Sequence, residues 1–301
     1  MFTFNINAVK PLNIPTLACR LSILTLVLLP LQAISQLVPL AGGMLPMPPP
    51  GYAWRLEPDL SDEFNEPQLD TNKWLPYFPN WIGRAPSRFE RANVSVKDGK
   101  LEIESTLIAS NMLSITNPMK EIWIDTGCIS SKSGSAFYGY YEARVKSSAL
   151  SMCSAFWLQG HYSEIDVIEQ FGASSKYAEK RMFMLSHTHY FRNGWTNDVP
   201  KGAIWEMPTD ASSDYHVYGV WWKNMNTAWL YHNGQKVSTI HFGGTFQEPM
   251  HVYFDAEAQI EKGLPLAESL NDSTKNTMYV DWVRSWSLIK TNASLAPISP
   301  N

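Results

Sequence analysis

Apolar and polar residues alternate along most of this chain, and no long segment keeps a helical rhythm of 3.6 residues. In "NVSVKDGKLEIES" (93–105), Val94 and Val96, then Leu101 and Ile103, alternate with polar neighbours on either side of Asp98-Gly99. That pattern predicts two strands joined by a tight hairpin, because Asp-Gly readily takes the left-handed turn conformation. "TAWLYHNGQKVST" (227–239) repeats the design around Asn233-Gly234. Strand-length runs also occupy 137–146, 154–160, 164–171, 214–223, 251–258 and 277–289, bounded by turn residues. Between residues 51 and 290 there is no linker, internal repeat or low-complexity tract. The pattern predicts one all-β domain, two antiparallel sheets stacked as a sandwich or jelly roll.

The N-terminus departs from this rhythm. Lys10 and Arg20 precede the uncharged run "LSILTLVLLPL" (21–31), and the small residues "AIS" (33–35) follow. This arrangement predicts a secretory signal peptide over 1–35, cut after Ser35, and hence export. The run is shorter than the roughly 20 residues that cross a bilayer, although an uncleaved anchor is the alternative reading. Residues 36–50 are rich in Pro and Gly and read as a spacer, and 291–301 as a C-terminal tail. Two cysteines remain beyond the signal, Cys128 and Cys153. Export permits a disulfide, but sequence leaves a bridge and two buried thiols equally open.

Composition narrows the function. A net charge of −4 gives no basic footprint for nucleic acid. Aromatic residues reach 13%, with 12 Trp, which suits either a β-rich core or a groove for sugar rings.

"SEIDVIEQFG" (163–172) carries the candidate chemistry. On a regular strand Glu164 and Asp166 share a face and Glu169 points away. One extra residue, a bulge at Val167 or Ile168, returns Glu169 to that face. The two Glu then stand about 13 Å apart along the backbone, and long side chains leaning inward can approach the roughly 5–5.5 Å that retaining glycoside hydrolysis requires. Close carboxylates oppose each other's ionisation, so one stays protonated as an acid while another is free to attack. The alternative is an acidic edge strand facing solvent, but Ile165, Val167, Ile168 and Phe171 mark a strand buried on its other side.

"EIDVIE" resembles the bulged E-x-D-x-x-E signature of glycoside hydrolase family 16. "SDEFN" (61–65), "YGYYEARVK" (138–146), "HVYGVWW" (216–222) and "NTMYVDWVRSW" (276–286) fall in that family's order. "WIGRAPSRF" (81–89) and "FDAEA" (254–258) are similar to its agar-cleaving branch, the β-agarases and β-porphyranases. The resemblance implies a jelly roll with a concave substrate groove and a monomeric endo-hydrolase of β-1,4 bonds in agar-type galactans. It needs no organic cofactor and touches no membrane once the signal is gone. By the same resemblance Glu164 is the nucleophile, Glu169 the acid/base and Asp166 the assisting carboxylate. Trp81, Arg84, Trp157, His187, His189 and Glu257 fall at substrate-contacting positions. The carbonyls of Glu63 and Gly99 with the Asp281 carboxylate match a structural calcium site, Asp281 as a plain hydrogen-bond acceptor being the alternative. "FDAEA" departs from the branch's usual "FDTEV", and Gln259-Ile260 follow, so subsite details differ here.

Three rival readings remain. His187 and His189 share a strand face and invite a metal, yet no carboxylate follows them within the next residues. A non-catalytic sugar-binding sandwich would use the same fold and aromatics without needing three acids in register. Arg84, Arg88 and Arg192 could each read a sulfate ester, or be ordinary surface charges. They form no basic cluster, so neutral agarose is expected ahead of sulfated porphyran.

Overall fold

The computed structural model describes residues 45–108, 116–173 and 182–291. The signal segment 1–35, most of the spacer and residues 292–301 of the tail lie outside the described residues.

The strands in chain order are β1 (Tyr52–Leu56), β2 (Trp74–Leu75), β3 (Ser87–Phe89), β4 (Val94–Lys97), β5 (Lys100–Glu104), β6 (Thr106–Leu107), β7 (Ile124–Thr126), β8 (Cys128–Ser131) and β9 (Gly139–Lys146). They continue with β10 (Cys153–Gln159), β11 (Ser163–Phe171), β12 (Phe183–Tyr190), β13 (Lys201–Glu206), β14 (His216–Asn224), β15 (Thr227–His232), β16 (Gln235–His241), β17 (His251–Glu257) and β18 (Thr277–Lys290). One large sheet runs β16-β15-β14-β9-β18-β5-β4, with β1 added alongside β18. The other runs β13-β12-β11-β10-β17-β8-β2. Every pairing in the two large sheets is antiparallel, as the alternating pattern predicts. A three-stranded sheet, β3-β7-β6, was not foreseen, because strands of two or three residues are too short to show alternation.

Both hairpins turn where expected. Asp98 and Gly99 lie at φ +49° and +71°, and Asn233 and Gly234 at +49° and +77°. Two successive positive φ values are what a two-residue hairpin needs to match the strands' right-handed twist.

The core lies between the sheets. Phe156 of β10 and Phe254 of β17 stack with ring centroids 4.8 Å apart, among Trp74, Leu101, Ile103, Tyr218 and Trp222. β11 contributes Ile165, Val167 and Ile168 to this layer, all fully buried. Each such side chain contributes on the order of 1.5–3 kcal/mol by leaving water. That burial pins β11 against slipping by one residue, which would turn its polar row inward. No described helix is long and apolar enough to cross a membrane.

The two cysteines stay free and buried. Cys153 pairs with Glu257 and Cys128 with Asp255, on opposite sides of β17. Two strand spacings across the sheet and two residues along it separate them by roughly 12 Å, beyond the reach of a disulfide.

Candidate active site

The bulge falls on Val167. Phe156 pairs with Ile168 and Trp157 with Asp166, leaving Val167 without a partner on β10. Val167 and Ile168 therefore both enter the core in succession, and Glu169 emerges on the face of Glu164 and Asp166. All three acids line one cavity of about 790 Å³ on the β10–β12 and β17 region of the sheet. The cavity also takes in Trp81, Arg84, Trp157, His187, His189 and Glu257. Every groove residue expected from the sequence is thus brought together.

Register explains the neighbours of each acid. Glu164 stands opposite Gln159 on β10 and His189 on β12, and the Gln159 amide donates to its carboxylate. Asp166 stands opposite Trp157 and His187. Glu169 accepts a 2.7 Å hydrogen bond from the Gln259 amide. His187 Nδ1 lies 2.8 Å from Glu169 Oε2, off the line of a straight N–H···O bond. The Cys153 thiol lies 4.0 Å from the other Glu169 oxygen. Gly202, opposite His187 on β13, makes room for that ring, since a Cβ there would sit 3.1 Å from His187 Cδ2.

The aromatic wall is built from the loop after β2 and from β10 and β17. Trp157 donates its indole N–H to Asp255 Oδ1 at 2.7 Å and stacks on Tyr253 with centroids 4.4 Å apart. Trp81 stacks on Phe78 at 5.7 Å. The "WIGR" turn needs its glycine: Gly83 has φ +102°, and a Cβ would lie 3.0 Å from the Arg88 backbone. Ser87 ties the loop to the end of β17, accepting the Ala258 N–H at 2.9 Å and donating to the Arg84 carbonyl at 2.9 Å. The half-exposed Arg84 side chain reaches Glu257 Oε1 at 3.3 Å, while Glu257 Oε2 is buried without a hydrogen bond.

Electrostatics divide the acids. Burial, reinforced by Glu164 and Glu169, raises Asp166 well above the ordinary carboxylate range. Burial raises Glu164 to about 7, against the pull of His189 and the Gln159 amide. Burial works to raise Glu169 too, but His187, Gln259 and Arg84 outweigh it and hold Glu169 below its usual value. Below neutrality the protons therefore rest chiefly on Asp166 and Glu164. This is the reverse of the order expected for a nucleophile at 164 and an acid at 169, and its cause is the donor set around Glu169. Burial also raises Glu257 to about 7, with Arg84 opposing.

Several groove residues were not foreseen. Gln159 and Gln259 hold the two outer acids, and Asp255 holds Trp157. Asp198, in the loop after β12, accepts from His189 Nδ1 at 2.5 Å and from the Tyr190 N–H at 3.0 Å. Trp195, 57% exposed, stacks on Phe191 at 3.7 Å and lines the cavity. Only register or loop closure reveals these roles; the signal available in sequence was the alternation of Asp255 with Glu257.

The expected calcium set fits poorly. The Asp281 carboxylate already meets Arg144 Nη1 at 2.6 Å, so a dication there would share its one charged ligand with a guanidinium.

The family described as "Beta-porphyranase A-D, GH16 domain" matches residues 54–288. The chain is 35% identical to β-porphyranase E of Zobellia galactanivorans over 260 residues, covering 80% of this chain and 90% of that protein. It is 31% identical to a β-agarase of Phocaeicola plebeius, covering 79% and 86%. The crystal structure of a β-porphyranase from the human gut bacterium Bacteroides plebeius superposes with a TM-score of 0.74 at 31% identity, over 82% of this chain and 96% of that one. The bulged row of three acids, the two-sheet architecture and these matches agree: the chain belongs to glycoside hydrolase family 16, in its porphyranase and agarase branch.

Proposed function

We propose that the protein is a retaining endo-hydrolase of β-1,4 bonds in agar-type galactans, with Glu164 as nucleophile, Glu169 as acid/base and Asp166 as the assisting carboxylate. The observation that carries this reading is the Val167 bulge, which sets Glu169 beside Glu164 in one cavity. Protonated Glu169 gives its proton to the glycosidic oxygen as Glu164 attacks the anomeric carbon. The leaving sugar departs as an alcohol and a glycosyl ester forms on Glu164. Glu169, now a carboxylate, takes a proton from water, whose oxygen displaces Glu164 and restores the original anomeric configuration.

The resting proton positions accommodate this chemistry. Two protons shared by three coupled carboxyls form one charge state with several arrangements. The reactive arrangement, Glu164 ionised with Asp166 and Glu169 protonated, is a tautomer of the resting one. Substrate selects it because the glycosidic oxygen offers an acceptor to protonated Glu169 alone. Asp166, kept protonated by its neighbours and burial, can donate to the Glu164 carboxylate and steady it.

Two polymers compete as substrate. Agarose comes first, since Arg84 and Lys262 are the only Arg or Lys among the described residues of the cavity wall and Arg84 is partly neutralised by Glu257. Sulfated porphyran is the second reading, supported by the porphyranase relatives and by the half-exposed Arg84 guanidinium. We further propose export on the strength of the N-terminal apolar run, action as a monomer since the whole row of acids lies in a cavity of one chain, and a fold independent of calcium, so that chelation leaves Tm unchanged. The deciding experiment is incubation of the purified protein with agarose, porphyran, κ-carrageenan and laminarin, with products sized. Oligosaccharides from either agar polymer are expected, and release from laminarin alone overturns the reading. Glu164→Gly should regain turnover with azide, yielding a glycosyl azide of inverted configuration, and a retained configuration removes Glu164 as nucleophile.

A further inference from the structure

The groove holds an unusual concentration of acceptors facing one another. Asp198 accepts from His189 Nδ1 at 2.5 Å, which leaves Nε2 facing the acids. Nε2 lies 3.7 Å from Asp166 Oδ2, too far for a hydrogen bond. Asp166 is only 6% exposed and its carboxylate accepts no hydrogen bond among the described residues. Glu164, opposite His189 across the strand pair, completes the group. One ligand atom from each of Glu164, Asp166 and His189 falls within 4.8 Å of the others.

We propose that Glu164, Asp166 and His189 form a binding site for a divalent ion of the zinc class, and that a bound ion shuts the enzyme off. Two carboxylates, their protons displaced to solvent by the ion, and one imidazole nitrogen are a ligand set for zinc or copper, with a fourth position left to water. Tetrahedral ligands about 2.1 Å from a zinc ion stand roughly 3.4 Å apart, so closing the present spacing takes a side-chain adjustment of about 1 Å. Calcium suits the site poorly, since it asks for 6–8 oxygens. Asp198 plays the outer role seen in metal-binding histidines: it fixes the tautomer and orients the ring. Its second oxygen accepts the Tyr190 N–H at 3.0 Å, which anchors it to the end of β12. His187 stays outside the set, engaged by Glu169. The pair of histidines that suggested a metal in sequence thus divides, one to the acid/base and one to a carboxylate pair from β11. A metal on Glu164 occupies the proposed nucleophile, and this blocking effect rests on the hydrolase reading above; the binding does not.

The test is thermal unfolding of the purified full chain with zinc chloride or magnesium chloride, alongside hydrolysis of the galactan that the wild type cuts. Zinc is expected to raise Tm and to inhibit competitively, and magnesium to do neither. His189→Gln should lose both zinc effects, while His187→Gln keeps the Tm shift. Asp198→Asn, which leaves all three ligands in place, should weaken zinc binding about 10–100-fold. It keeps the test decisive if His189→Gln does not fold. No Tm response to zinc in the wild type, or equal zinc affinity in wild type, His189→Gln and Asp198→Asn, overturns the site. A wild type that binds zinc yet cuts no galactan overturns the substrate reading and leaves the metal site standing.

Discussion

Gln259→Leu isolates the control of Glu169. The Gln259 amide gives Glu169 Oε1 a 2.7 Å hydrogen bond and lies 3.4 Å from Glu257 Oε1. Leucine fills nearly the same volume at this buried position and offers no donor. A hydrogen bond to a charged group contributes about 1.5–3 kcal/mol, and one pKa unit corresponds to about 1.36 kcal/mol. Losing the bond therefore raises the Glu169 pKa by about 1–2 units. His187 and Arg84 remain and take up part of the deficit, so about one unit is expected. The sign follows from which form the amide favours: it stabilises the carboxylate, and its loss favours the acid. The step needs protonated Glu169 while the resting proton sits chiefly on Glu164, so the share of the reactive arrangement, and with it the plateau of the kcat/KM profile, should rise by up to about tenfold, the basic limb staying with Glu164 at about 7. The assay is kcat/KM on an agar oligosaccharide across the acid-to-alkaline range, for wild type and variant. A plateau that stays unchanged or falls refutes the claim that Gln259 sets the acidity of the acid/base.

Two further outcomes follow from other parts of the molecule. Trp195→Ala removes an exposed ring already braced on Phe191; if sugars stack there, about 1 kcal/mol is lost, and KM should rise about fivefold on every galactan cut, whereas an unchanged KM removes Trp195 as a platform. Burial raises Glu142, in the other sheet, to about 7 from a usual 4.5, so its neutral form supports the fold at low pH and that support is lost as pH rises through neutrality, by at most about 3 kcal/mol. Glu142→Gln should flatten this fall in urea titrations below and above neutrality, and a variant with the wild type's pH dependence would contradict it.

The fold was legible where a short stretch fixes its own geometry. Asp98-Gly99 and Asn233-Gly234 announced their hairpins because few residue pairs accept two positive φ values in succession. The bulge was legible because three acids and four apolar residues in nine positions satisfy a single strand only if one residue is skipped. β13 escaped notice because it is a largely exposed edge strand, with Ile204 62% exposed and no buried face to impose alternation. Its contribution is nonetheless specific, since Gly202 is what allows the His187 ring to lie beside Glu169.

The site divides along a similar line. Sequence can show which groups carry the reaction, because their spacing along one strand is a local property. It shows poorly what tunes them, because a tuning contact is made between segments distant in the chain. Gln259 lies 90 positions from the acid it holds, and Asp255 lies 98 from the indole it orients. The proton order shows the consequence. Three clustered carboxylates imply that at least one is protonated, but not which. That choice falls to His187, Gln259 and Arg84, from β12, the end of β17 and the loop after β2. The same three acids under a different donor set would place their protons elsewhere. Variation at these supporting positions, with the acids unchanged, is therefore the route by which one bulged strand can serve galactans of differing charge and different working pH.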